Sequence, residues 1–328
     1  MKLREWLQHG EAILADSPHP DRARRDAETI LLHHIGKNKA WLMAHGEEEF
    51  AGCSSIGYAA LLERRRKGEP IQYIIGECEF WGMPFRVTPD VLIPRPETEH
   101  LVEKVSHLVP AFDRKRRTKG IFGVERIHAA YEEGIRRARE GDPNFTGWPP
   151  RILDVGTGSG AIAIAIAHEW SNADITAIDI SDHALKVART NARSLGFADH
   201  IRFLQGDLLA PVAEEKFEII ASNPPYVPDT DRALISVEVR EHEPHVALFG
   251  GHDGLEIYRR LIPAAYNALV PGGYLVFEFG FSQQPDIESL LATAGFQNIE
   301  FIRDLQGIAR VASGQKVLEI SEAQNNCK

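Results

Sequence analysis

Apolar positions change their period twice along the chain. Through residues 1–70 they recur at helical spacing, in Leu3/Trp6/Leu7, Ala27/Ile30/Leu31 and Tyr58/Leu61/Leu62, with Pro18, Pro20, Gly36 and Gly46 as punctuation. The pattern predicts four short helices in a small bundle. They close on Arg64-Arg65-Arg66-Lys67, a basic run that suits the carbonyl end of a helix and reads as a solvated helix end. From Gly68 to Pro96 the pattern turns strand-like. Ile71-Gln72-Tyr73-Ile74-Ile75 is expected as a strand, and Phe80 to Val87 as a hairpin turning near Gly82. Two prolines then flank an arginine in Ile93-Pro94-Arg95-Pro96-Glu97, opening a helix expected to run to about Leu108. An arginine held this rigidly can grip a carboxylate or steady a neighbouring loop.

Residues 109–150 fit neither neighbour. They carry Arg114-Arg117 and Lys119, an amphipathic helix from Val124 to Arg139, and a Trp148-Pro149-Pro150 exit, and are read as an inserted linker. From Arg151 onward, strands and helices alternate regularly. Strands are expected at 152–155, 173–179, 201–204, 217–221, 273–279, 299–302 and 308–312, with helices at 159–170, 183–195, 255–269 and 285–294. That is the βαβ signature of an open, mostly parallel sheet with helices on both faces. The domain reading is a helical substrate-binding domain at 1–75, a hairpin and helix connector at 76–108, the linker at 109–150, an α/β domain at 151–314 and a polar tail at 315–328.

Composition narrows the function. With 37 Lys and Arg against 47 Asp and Glu, a formal charge of −10 disfavours a body built to hold duplex nucleic acid. No apolar run approaches the roughly 20 residues of a membrane helix, and the N-terminus lacks a signal-peptide stretch, so a soluble cytoplasmic protein is expected. Cys53, Cys78 and Cys327 lack metal-ligand or disulfide spacing, and no metal is expected.

Chemistry concentrates at strand ends. Asp154-Val155-Gly156-Thr157-Gly158-Ser159-Gly160 forms the first strand-to-helix turn, where missing Cβ atoms let a nucleotide-like ligand approach the backbone. Gly156, Gly158 and Ala161 also satisfy a dinucleotide pattern, and Asp179 can take ribose hydroxyls in either case, so a dehydrogenase stays open on the glycines alone. Asp207, after Gly206, is placed to meet an adenine amino group. Asn223-Pro224-Pro225-Tyr226 ends the fourth strand beside the same crevice. Two prolines stiffen that loop and leave carbonyls as acceptors, Asn223 adds a side-chain oxygen, and Tyr226 offers a flat face: a device for gripping an NH2 group. The plainer alternative is a Pro-rich turn.

Together these residues resemble class I S-adenosylmethionine-dependent methyltransferases, and more narrowly the protein-(glutamine-N5) methyltransferases of the HemK/PrmC type. Asp154 to Gly160 is similar to the methyl-donor loop, which implies that Gly156, Thr157, Gly158, Ser159 and Gly160 hold S-adenosyl-L-methionine with Asp179, Asp207, Leu208 and Asn223. Asn223-Pro224-Pro225-Tyr226 is similar to the catalytic and substrate-binding motif. Further matches lie in Glu243-Pro244, Ala247-Leu248, Gly250-Gly251 and Asp253-Gly254-Leu255, and upstream in Glu69-Pro70-Ile71-Gln72-Tyr73 and Arg95-Pro96-Glu97-Thr98-Glu99. The resemblance implies a seven-stranded sheet and methylation of a glutamine amide in class I peptide chain release factors, without a metal and without direct nucleic-acid or membrane partners. Its alternatives are a ribosomal-protein glutamine methyltransferase, a DNA or RNA exocyclic-amine methyltransferase, which shares the NPPY motif, and a non-catalytic donor-binding adaptor. The 109–150 crossing is longer than the family's usual short loop.

Overall fold

The computed structural model describes residues 1–49, 55–112 and 150–317. The helix expected over Val124 to Arg139, the basic run at 114–119 and most of the 315–328 tail lie outside these residues. The described chain divides into two compact units. One comprises residues 1–78, 86–93 and 231–245, and the other 79–85, 94–230 and 246–328.

The first unit is helical, as its period predicts. Helices Leu3–Leu14, Ala23–Ile35, Lys39–His45 and Ser55–Arg66 bury Leu3, Leu7, Leu14, Ile30, Leu31, Tyr58 and Leu62 against one another. The expected strand at Ile71–Ile75 is instead a one-turn helix. Pro70 initiates it, its carbonyl accepting from the amides of Tyr73 and Ile74 at 3.1 and 3.2 Å. Gly76 closes it in the left-handed region at φ 78°. Burial of Ile74 in the helical core and a 2.6 Å bond from the Tyr73 hydroxyl to the Val91 carbonyl outweigh the β preference of the isoleucines. Arg65 also departs from expectation, because it is buried rather than solvated. It donates to Asp26 at 2.7 Å, to the Glu69 carbonyl at 2.9 Å, and to Glu238. Glu238 lies on the helix Val237–His242, which the sequence pattern missed and which Ser236 caps.

The hairpin of β1 (Glu77–Phe80) and β2 (Met83–Arg86) turns at Trp81 and Gly82, both at positive φ, as a two-residue loop demands. Its turn is anchored within the second unit. The Trp81 amide donates to Glu99 at 2.8 Å and its indole to Glu169 at 2.9 Å.

The second unit holds the seven-stranded sheet: β3 (Arg151–Val155), β4 (Asp174–Asp179), β5 (Ile201–Gln205), β6 (Phe217–Ser222), β7 (Leu269–Glu278), β8 (Phe296–Arg303) and β9 (Ala309–Lys316). The order is β5-β4-β3-β6-β7-β9-β8, with the β9 pairings antiparallel. Successive residues alternate between two apolar clusters. Ile152, Ala177, Ile219 and Val276 serve one, and Leu153, Ile178, Ile220 and Phe277 the other. Replacing any of the isoleucines with alanine would cost about 2–5 kcal/mol. The helix Ala161–Glu169 is apolar all round and buried from Ala161 to Ala167, so it lies within the core rather than on it. β9 runs beyond the expected end at Ala312 and through Gln315, assigned to the tail. The Gln315 side chain donates to the Gly272 carbonyl at 3.0 Å, and that bond together with pairing to Tyr274 makes this polar stretch a strand. The helix expected to stop near Leu108 continues as Glu99–Phe112. Strand order reverses between β3 and β6, so the chain's crossovers diverge there and leave a crevice at the carboxyl ends.

Candidate active site

At the end of β3 the chain turns back sharply. The amides of Gly156 and Thr157 both donate to the Ile178 carbonyl at 2.8 and 2.9 Å, and Gly158 donates to the Asp179 carboxylate at 2.8 Å. Gly156 and Gly158 adopt φ of 76° and 57°, and a Cβ built on either meets nothing within 4 Å, so the space above the turn is open. Thr157 and Ser159 are buried in the turn itself. The Thr157 hydroxyl donates to Asp154 at 2.6 Å, while the Ser159 carbonyl accepts from Asn191 at 2.8 Å. Gly160 packs against Ile164 and Ala188, where a Cβ would come within 3.1 and 3.2 Å.

Asp179 ends β4, with one oxygen on Gly158 and the other on the Ser181 amide at 2.9 Å. Burial pushes its carboxyl above the usual range, against those bonds. The Gly206 amide donates to the Asp179 carbonyl at 3.0 Å, which brings the end of β5 alongside. Asp207 there is half-exposed and ion-paired with Arg260, and Leu208 takes a positive φ of 49° while packing against the apolar cluster. Asp154 was not singled out as a site residue, yet it is fully buried, with one carboxylate oxygen accepting from the Thr157 hydroxyl. Burial pushes its carboxyl up to about 7.

One strand over, the Ser222 hydroxyl donates to the Val155 carbonyl at 2.7 Å and ties the end of β6 to the start of the glycine turn. Asn223 follows. Its Nδ2 donates to Thr98 at 3.1 Å and to Glu278 at 3.0 Å, and no described residue donates to its Oδ1. The Tyr226 hydroxyl donates to the other oxygen of Glu278 at 3.1 Å, and the Thr98 hydroxyl donates to Glu278 at 2.6 Å. Burial, followed by the nearby Glu278 charge, holds the Tyr226 hydroxyl far above its ordinary pKa, so it remains a donor. The loop backbone is braced on both sides. The Val227 amide donates to the Leu248 carbonyl at 2.9 Å, and Gln283 donates to the Tyr226 carbonyl at 3.0 Å. A Cβ on Gly254 would strike that same carbonyl, which accounts for the glycine there.

Glu278 and Thr98 were the members that sequence reasoning missed. Glu278 ends the apolar run 275–277, and it is the pairing of Ser222 with Phe277 between β6 and β7, which the sequence does not show, that sets it beside Asn223. Thr98 is delivered by the Pro96–Thr98 turn, so the segment that follows Arg95 contributes a hydroxyl to the site.

A parallel sheet of this order, with a glycine turn after its first strand and Asn-Pro-Pro-Tyr after its fourth, defines a class I methyltransferase. Known proteins agree. The PrmC N-terminal domain family matches residues 5–76 and a methyltransferase domain family matches residues 150–302. A release factor glutamine methyltransferase of Koribacter versatilis (strain Ellin345) is 37% identical over 94% of this chain and 95% of its own. Its counterpart in Escherichia coli (strain K12) is 34% identical over 96% and 99%. Among solved structures, the hMettl16 catalytic domain bound to a MAT2A 3′UTR hairpin shares the fold, at 14% identity and a TM-score of 0.51 over 73% of this chain and 77% of that one. The chain belongs to the release factor glutamine methyltransferase family.

Proposed function

We propose that this protein transfers a methyl group from S-adenosyl-L-methionine to the side-chain amide nitrogen, N5, of the glutamine in the Gly-Gly-Gln motif of class I peptide chain release factors. The observation that carries the reading is the state of Asn223. Both its N–H groups are engaged by Thr98 and Glu278, which leaves Oδ1 as an acceptor at the mouth of the crevice.

The residues present fit the donor. Open space above Gly156 and Gly158 admits it, Asp179 has lone pairs for ribose hydroxyls, and the buried Asp154 carboxyl carries, above about pH 7, a negative charge that suits a cationic ligand. S-adenosyl-L-methionine supplies, when bound, an electrophilic methyl group on a sulfonium. Asp207 and Leu208 flank the adenine end, with Asp207 steadied by Arg260.

A glutamine amide is a poor nucleophile, because its nitrogen lone pair is delocalised into the carbonyl. Asn223 Oδ1 and the Pro224 carbonyl accept its two N–H bonds and aim the lone pair along the transfer direction. The nitrogen gains the methyl as the sulfur–carbon bond breaks, and its proton is then acidic enough to pass to water. Positioning therefore does most of the work, which suits a loop stiffened by Pro224 and Pro225 and clamped from behind by Gln283. Among the described residues no helix is long and apolar enough to cross a membrane.

Incubation with methyl-labelled donor and purified release factor, followed by mass mapping, tests the reading. Label on the motif glutamine is expected. Label confined to nucleic acid or to a ribosomal protein would overturn it.

A further inference from the structure

We infer that Glu278, as a carboxylate, is the positioning residue of this site: it fixes the Asn223 amide with its NH2 inward and its Oδ1 toward the substrate. The inference rests on the proposed transfer to a glutamine amide.

The two ends of an asparagine amide have nearly the same shape, and a half-turn about χ2 exchanges an acceptor for two donors. If Asn223 were turned, its NH2 would face the NH2 of the substrate glutamine, and neither would have a partner. What lies behind the amide decides. An ionised carboxylate offers lone pairs alone, and Glu278 collects three donors. The Thr98 hydroxyl at 2.6 Å and Asn223 Nδ2 at 3.0 Å share one oxygen, and the Tyr226 hydroxyl takes the other at 3.1 Å. Thr98 has spent its only hydrogen on Glu278, so it presents lone pairs to Asn223 Nδ2 at 3.1 Å. Both neighbours of the inner end are therefore acceptors, and one amide orientation satisfies them. Only 2% of the Glu278 surface is exposed, so water cannot substitute for a missing partner.

Protonation of Glu278 reverses the logic. An added hydrogen meets three converging donors, one hydroxyl must turn away, and the Thr98 hydrogen released toward Asn223 is satisfied by an oxygen rather than by NH2. The groups facing Glu278 are Thr98 and Glu97 from the turn before the Glu99–Phe112 helix, Tyr226 from the loop after β6, Arg310 from β9, and the Tyr258 hydroxyl, which donates to the Glu278 backbone carbonyl at 2.9 Å. Burial dominates and, with Glu97, raises the Glu278 pKa above the usual carboxylate range, opposed by the hydrogen bonds and by Arg310. Activity is accordingly complete above that raised pKa and lost as pH falls through it.

The test uses the full-length protein with purified release factor and methyl donor, following kcat and KM against pH. Glu278→Gln keeps the shape but places an NH2 among three donors. It is expected to lower kcat about a hundredfold, to leave donor affinity and release-factor KM within about threefold, and to abolish the acid limb of the profile. Combined with Asn223→Ala it should add no further loss, since no amide remains to be oriented. Should Glu278→Gln fail to fold, Thr98→Val serves the same double-mutant comparison, with an expected loss of about tenfold and the acid limb retained, since Glu278 still titrates. A kcat within threefold of wild type, or losses that multiply independently in the double variant, would overturn the inference alone. Wild-type enzyme that leaves the release-factor glutamine unmodified would instead overturn the functional reading, and this inference with it.

Discussion

Two kinds of construction meet at the carboxyl ends of β3 and β6. The glycine turn is made of backbone: its amides bond the Ile178 carbonyl and the Asp179 carboxylate, and the elements involved follow one another directly in sequence. The amide clamp behind Asn223 is made of side chains from three distant stretches. Thr98 reaches Glu278 across 180 positions, and Asn223 reaches Thr98 across 125. A surface of backbone amides tolerates changes in side chain as long as the turn forms. A surface of converging side chains depends on every member, because each hydrogen in it has one destination.

That contrast should fail first at Asp179, where the glycine turn relies on a side-chain carboxylate to hold a backbone amide. Asp179→Ala removes the anchor of the Gly158 amide together with the ribose acceptors, and should weaken donor binding by roughly a thousandfold, at about 1.5–3 kcal/mol per charged hydrogen bond. Calorimetry with the purified protein reads this directly, and an unchanged Kd would remove Asp179 from the site. On the clamp side, Asn223→Ala should reduce kcat about a hundredfold while donor and release-factor affinity hold, the mark of an interaction stronger in the transition state. Asn223→Asp keeps an acceptor oxygen but sets a second negative charge beside buried Glu278, and near-normal turnover in both variants would return the tetrapeptide to a rigid turn.

A milder probe is pH. The Asp154 carboxyl ordinarily titrates at 3.8 and is raised to about 7 here, so Asp154 is neutral below that pH and charged above it. A cationic donor favours the charged form, so donor affinity should fall as pH drops through 7, by at most about tenfold per unit. Asp154→Asn should flatten that slope, and a pH-independent Kd in the wild type would dissociate Asp154 from donor binding. The smallest effect is expected from replacing residues 113–149 with a Gly/Ser linker. Donor affinity should stay within about twofold, because the strands and turn that form the crevice begin at Arg151. A collapse of binding would make that segment part of the fold.

Legibility in the sequence follows the same division. Periodicity located all seven strands of the sheet, because inward residues alternate between two apolar clusters, and the glycine turn and Asn-Pro-Pro-Tyr announced themselves as contiguous motifs. Thr98 and Glu278 did not, since neither belongs to a local pattern that distinguishes it from an exposed helix start or a strand terminus. Ile71–Ile75 misled for a related reason: its β-branched residues argue for a strand, and only Pro70, Gly76 and the burial of Tyr73 and Ile74 decide otherwise. Polar residues inside β9 hid its length, because Ser313 interrupts the apolar run and Gln315 reads as tail until its bond to the Gly272 carbonyl is known.

The buried Arg65 bears on how the polypeptide is made. Its partner Glu238 lies 173 positions downstream, so the amino-terminal helices leave the ribosome long before the segment that completes their charge pairing. In the interim Arg65 has Asp26 and the Glu69 carbonyl, and a guanidinium short of one carboxylate inside an apolar bundle is a standing penalty. The nascent helices are therefore expected to gain full protease resistance only after residues 231–245 have emerged from the ribosome, and a ribosome stalled earlier should present them only partly consolidated.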